Sequence, residues 1–73
     1  MELKIGYNVR TIRIQRGISQ KELARRAGVS QAHISDIERN KRRASISVLL
    51  KIMEALKCEP ADIMKEMEGA KCG

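Results

Sequence analysis

The chain has 73 residues, 42% hydrophobic and 33% charged, a globular balance in a length that holds one small domain and no separate catalytic or ligand-sensing one. Its apolar runs are two to three residues long, which excludes a transmembrane helix and a signal-peptide core, so no membrane association is expected and the expected location is the cytoplasm. The net charge of +6 favours a polyanionic partner, while one Tyr without Phe or Trp leaves no stacking platform for single-stranded nucleic acid.

The first predicted helix runs from about Leu3 to Arg16. Ile5, Val9 and Ile12 recur at i, i+4 and i+7 and define its inner face. Gly17 ends it as a C-cap. Arg10, Arg13 and Arg16 line its flank, and Tyr7 and Ile14 fall off the apolar stripe. The second helix opens with Ser19 as N-cap and Glu22 at N3, a capping-box spacing, with Ile18 placed to staple onto Leu23. Leu23, Ala24 and Ala27 form its small apolar face. Gly28 stands where that helix must stop and the chain must turn, a position that favours a left-handed backbone.

The third helix spans about Ser30 to Arg39. Ser30 is its cap, Val29 and Ile34 repeat the staple, and Ile34 and Ile37 point inward. Its other positions (Ser30, Gln31, Ala32, His33, Ser35, Asp36 and Arg39) are polar or small, a face that fits a major groove. Asn40 takes the left-handed position after it, because asparagine tolerates that backbone. Four of the five residues from Arg39 to Arg43 are basic. Ser45 caps a fourth helix from Ile46 to about Lys57, with a predicted buried stripe of Ile46, Leu49, Leu50, Met53 and Leu56, widened by Val48 and Ile52. Pro60 fits the first position of a fifth helix, although Glu59 before it is a poor cap. Ile63, Met64 and Met67 give that helix its apolar face. No strand pattern appears, so the expected fold is all-α, a compact five-helix bundle. Residues 1–68 form the domain and 69–73 a flexible tail.

Charge is unevenly placed. Residues 1–53 carry 12 Lys/Arg and 4 Asp/Glu, a net +8, whereas residues 54–73 carry 3 and 5, a net −2. Cys58 and Cys72 read as reduced thiols. With His33 the single histidine, soft ligands are too few for a metal site, and no cofactor motif is present. Ser30 beside His33 is explained as a helix cap. The expectation is that the chain is not an enzyme.

The stretch GISQKELARRAGVSQAHISDIERNKR, followed by SISVLLKIMEAL, resembles the Cro/C1-type (XRE-like) helix-turn-helix family of phage and bacterial transcriptional repressors. The resemblance covers about Ile5 to Met64. It implies a lambda-repressor-like DNA-binding fold in which the second and third helices form the helix-turn-helix. It further implies that Gln31, Ala32, His33 and Ser35 face base edges. Side-chain chemistry agrees, since a glutamine amide pairs bidentately with adenine and an alanine methyl packs on a thymine methyl. By the same resemblance Gln20, Ser30, Arg39, Asn40, Lys41 and Arg43 hold the DNA backbone, with Gln20 also bracing Gln31, and Arg13 pairs with Glu38. Asn40 and Ala44 stand where relatives often carry glycine and proline.

The expected function is a sequence-specific double-stranded DNA-binding regulator, a repressor, acting as a homodimer on a near-palindromic operator. The fifth helix, the loop before it and the wider face of the fourth helix, through Val48, Ile52 and Met67, form the expected dimer surface. The alternative is a protein-interaction adaptor or antitoxin component on the same fold, with a protein partner.

Overall fold

The structure, a computed structural model, describes residues 5–64. Five helices follow one another: α1 (Ile5–Gln15), α2 (Gln20–Ala27), α3 (Gln31–Glu38), α4 (Ile46–Leu56) and α5 (Pro60–Ile63). The described residues contain no strand. The expected Leu3 start of the first helix, Met67, the 69–73 tail and Cys72 lie outside the described residues.

Local sequence explains the helix ends. Ser19, Ser30 and Ser45 all adopt extended backbone and accept from the N–H three residues on, at 3.0, 3.0 and 3.2 Å. Each thereby satisfies an otherwise unpaired donor in the first helical turn. At the other ends Gly17, Gly28, Asn40 and Lys57 have φ of 71°, 72°, 59° and 56°. The next N–H then reaches back to Arg13, Ala24, Asp36 and Met53, respectively, at 2.8–3.1 Å, closing α1 to α4 with the same hydrogen-bonded stop. Lys57 is the unexpected member, because lysine carries a Cβ that this backbone disfavours. α5 starts on Pro60, and Asp62 Oδ2 accepts the Glu59 N–H at 3.0 Å. That bond offsets the weakness of glutamate as a cap.

The core takes Val9 and Ile12 from α1, Leu23, Ala24 and Ala27 from α2, and Ile34 and Ile37 from α3. Leu49, Ile52 and Leu56 of α4 and Ile63 of α5 complete it. Ile5, Ile18 and Val29 pack against its edge. α2 lies between α3 and α4, while α1 packs on α3, α4 and α5.

Expectations for three helices need correction: in α5, Met64 falls just past the helix and is exposed, so Ile63 is the residue that turns inward there. Ile46 and Leu50 are not in the buried stripe of α4: they are 72% and 56% exposed, and Ile52 is 0% exposed. At about 100° per residue, Leu49, Ile52 and Leu56 share one narrow face and Leu50 projects well to its side. The sequence pattern was apolar over more of the helix than the core could cover. Glu22 also does not complete a capping box. Its carboxylate pairs with Arg25 and, at 2.7 Å, with Arg26 Nε, because two guanidinium groups offer charge-assisted bonds that a neutral backbone N–H does not match.

Polar side chains of α1 and of Arg16 just after it reach to neighbouring helices. Asn8, 6% exposed, donates from Nδ2 to the Ile63 carbonyl at 2.7 Å. Arg16 Nε donates to the Leu56 carbonyl at 2.9 Å, placing a cation where the dipole of α4 is negative. Arg13 turns inward to Glu38, so these arginines do not form a uniform exposed flank. Gly6 is buried in α1. A Cβ built there would lie 2.1 Å from the Ile37 carbonyl oxygen and 2.7 Å from Asn40 Oδ1. Glycine is thus what lets α1 cross this close to the end of α3.

Candidate nucleic-acid interface

α3 presents its outer face because its inner face is fully committed. Ile34 and Ile37 are 0% and 2% exposed and Glu38 is 6% exposed. Of its other positions, Gln31 and Ala32 are exposed, and His33, Ser35 and Asp36 are half-buried. Ser30 is exposed with its Oγ accepting the His33 N–H at 3.0 Å. The serine is a cap, not a nucleophile poised by the histidine.

The turn before α3 is short and constrained. Gly28 has φ 72° with nothing within 4 Å of a would-be Cβ, so backbone conformation rather than crowding calls for glycine. Val29 N–H returns to the Ala24 carbonyl at 3.0 Å. The outer face of α3 is therefore held at a set angle to α2.

Beyond α3 the chain enters a basic loop. Arg39, Asn40, Lys41, Arg42 and Arg43 are all exposed. Asn40 N–H donates to the Ile37 carbonyl at 3.0 Å and Lys41 N–H to the Asp36 carbonyl at 2.8 Å, which folds the loop back beside the end of α3. Asp36 and Arg39 form no ion pair among the described residues. The polar face of α3 and this cationic loop are adjacent in space as well as in sequence.

Behind the face lies a polar clasp. Arg13 Nε donates to Glu38 Oε2 at 2.7 Å and Arg13 Nη2 to Glu38 Oε1 at 3.1 Å. Arg13 Nη1 donates to the Ile18 carbonyl at 2.8 Å. Gln20 Nε2 donates to Glu38 Oε1 at 3.1 Å. The structure thus brings Gln20 to Glu38, a contact not read from the sequence, rather than to Gln31. On the outer side of α2, Arg25 first and Arg26 second hold the Glu22 carboxyl down at about 2.

Among the described residues, no His, Cys, Asp or Glu cluster could hold a metal ion. Cys58 is half-buried and outside any disulfide; burial, then the charge of Asp62, pushes its thiol up, away from the reactive thiolate. No described helix is long and apolar enough to cross a membrane.

Gly6, Asn8, Arg16 and the Gln20–Glu38 contact escaped the sequence reading. Gly6 had a signal: an isolated glycine inside a helical pattern costs about 1 kcal/mol relative to alanine and calls for a packing reason. Asn8 and Arg16 had none, because polar residues on a helix flank look alike whether they face solvent or a neighbouring carbonyl.

Comparisons with known proteins agree with this geometry. A family model described as helix-turn-helix matches residues 9–63. The control protein C.BamHI of Bacillus amyloliquefaciens is 37% identical over 65 residues, covering 88% of this chain and 80% of that protein. A hypothetical transcription factor of Neisseria meningitidis serogroup B is 36% identical over 52 residues, 71% of this chain; the match spans only 49% of that relative's length. Among solved structures, the restriction-modification controller protein C.AhdI from Aeromonas hydrophila superposes with a TM-score of 0.79 at 33% identity, over 84% of this chain and 92% of that one. The chain belongs to the Cro/C1-type helix-turn-helix family of DNA-binding transcriptional regulators.

Proposed function

We propose that the protein is a sequence-specific repressor that binds double-stranded DNA in the cytoplasm by laying α3 in the major groove. The observation that carries this reading is the polar outer face of α3, backed by buried Ile34, Ile37 and Glu38 and followed at once by the exposed basic loop 39–43. In this reading Gln31 pairs with an adenine edge and Ala32 meets a thymine methyl, with His33 and Ser35 beside them. Gln20, Ser30, Arg39, Asn40, Lys41 and Arg43 hold phosphates and set the register. The Arg13–Glu38 pair ties α3 to α1, which backs the motif from behind. No cofactor or metal is invoked.

One short helix reads few base pairs, so the operator is a near-palindrome bound by a dimer, with half-site centres about 34 Å apart. Of the expected surface, Ile52 is interior, Val48 is half-buried against the core and Met67 lies outside the described residues; exposed Ile46 and Leu50 on α4 are the apolar surface assigned to the second copy in this reading.

In vitro selection of bound duplexes from a random pool tests the reading. A palindromic consensus with two half-sites about one helical turn apart is expected. Recovery of no consensus would reject it in favour of an adaptor or antitoxin role, in which the same apolar flank of α4 receives a protein partner. A promoter-run transcription assay with the selected site then tests repression.

A further inference from the structure

The side chain of Glu38 is 1% exposed, yet its carboxylate serves more than the arginine beside it. Oε1 accepts from both Arg13 Nη2 and Gln20 Nε2, each at 3.1 Å, and Oε2 accepts from Arg13 Nε at 2.7 Å. Glu38 is the last residue of α3 and Gln20 the first of α2. The Gly28 turn joins these helices at one end of the motif, and the carboxylate joins them at the other.

A carboxylate in an ion pair only accepts, so the amide nitrogen of Gln20, not its oxygen, must face it. That chemistry sets the orientation of the carboxamide. One N–H is spent on Glu38. The other N–H and the amide oxygen remain for a partner, and Gln20 is half-buried rather than enclosed. We infer that Glu38 is a positioning residue for DNA binding: it holds one amide proton of Gln20 and thereby aims the second at a backbone phosphate beside the start of α2. The inference rests on the DNA-binding reading above and adds the residue that orients the contact. Holding the side chain before DNA arrives removes the rotamer entropy that a free glutamine would lose on binding.

An amide is neutral, so losing its phosphate contact leaves the number of displaced counterions unchanged. Affinity should therefore fall by the same factor at every salt concentration, unlike the loss of a lysine or arginine contact. The test is fluorescence anisotropy of the full chain on its selected duplex across a salt series. Gln20→Met, which keeps the length and removes the amide, should bind about tenfold more weakly with an unchanged salt slope. Glu38→Met, which removes both acceptor oxygens, corrected for folded fraction by circular dichroism on the same samples, should show a similar loss. The double variant should be no weaker than Gln20→Met alone. Multiplying losses, or wild-type affinity in Gln20→Met, would overturn the inference. If Glu38→Met does not fold, nitrogen relaxation of side-chain amides in the free wild-type protein decides. A Gln20 amide more ordered than that of Gln31 supports the proposal, and equal mobility overturns it. Failure to bind any duplex at any salt would instead reject the DNA reading itself.

Discussion

At the residue scale, two positions show how one side chain, or its absence, sets local geometry. Gly6 sits where α1 meets the end of α3, and a methyl group there would overlap the Ile37 carbonyl oxygen. Alanine is intrinsically the better helix former by about 1 kcal/mol, so propensity and packing make opposite predictions. Packing wins, because the obstructing atom is backbone and cannot swing away. Gly6→Ala should destabilise the fold by about 1–3 kcal/mol in urea denaturation. Glu22 makes the second case. Its folded carboxyl sits at about 2 against an ordinary 4.5, chiefly through Arg25 and then Arg26. A depressed carboxyl stabilises the fold above its ordinary value and loses that contribution as pH falls through its folded value. The contribution should be present above about pH 4.5 and disappear towards about pH 2. NMR titration of the Glu22 side-chain carboxyl carbon checks this. Arg25→Ala should raise the midpoint more than Arg26→Ala, and added salt should raise it too, since the group is exposed to screening.

At the scale of elements, the helix-turn-helix divides its work between a reading face and a holding loop. Gln31 at the start of α3 is exposed and carries an amide suited to adenine. Gln31→Ala should cost about 1–3 kcal/mol on the preferred site and relax selection at one position per half-site. Arg43 lies in the loop after α3 and offers charge without base discrimination. Arg43→Ala should weaken binding to all duplexes alike and reduce the salt slope by about one. Selection of bound sequences checks the first prediction, and a salt series on random duplex checks the second. An unchanged consensus for Gln31→Ala would move the reading role elsewhere on α3. The elements themselves were readable because their ends carry strong local chemistry: Ser19, Ser30, Ser45, Gly28 and Pro60 each act on backbone within a few residues. The end of α4 near Lys57 was readable, but its left-handed backbone was not, because the Cys58 N–H closes α4 on Met53 whatever the residue's own preference.

At the scale of the whole molecule, the central difference is between apolar residues and buried ones. Ile52 and Leu50 are two positions apart on α4, yet one is 0% and the other 56% exposed. Ile52→Ala should cost about 2–5 kcal/mol of folding stability. Leu50→Glu should leave monomer stability within about 0.5 kcal/mol while weakening self-association. Sedimentation velocity with and without the selected duplex, beside urea denaturation, separates these outcomes. Loss of folding in Leu50→Glu, or undiminished association in both Leu50→Glu and Ile46→Glu, would remove this flank from the dimer surface.

The sequence by itself determined the all-α order of elements, the serine N-caps of α2 to α4 and the inward positions of α2 and α3. Those features follow from helical periodicity and from side chains bonding to nearby backbone, which are local. It also exposed the family, because Leu23, Ala24, Ala27, Gly28, Val29, Ile34 and Ile37 recur at the spacing the motif requires. Only the tertiary structure decided which flank of α4 the core covers, that Arg16 and Asn8 cap carbonyls of other helices, and that Gly6 marks a close crossing. It alone joined Gln20 to Glu38. Each of these depends on a neighbour 18 to 55 residues away or on the finite area a small core can cover. Neither is written in the periodicity of a single helix.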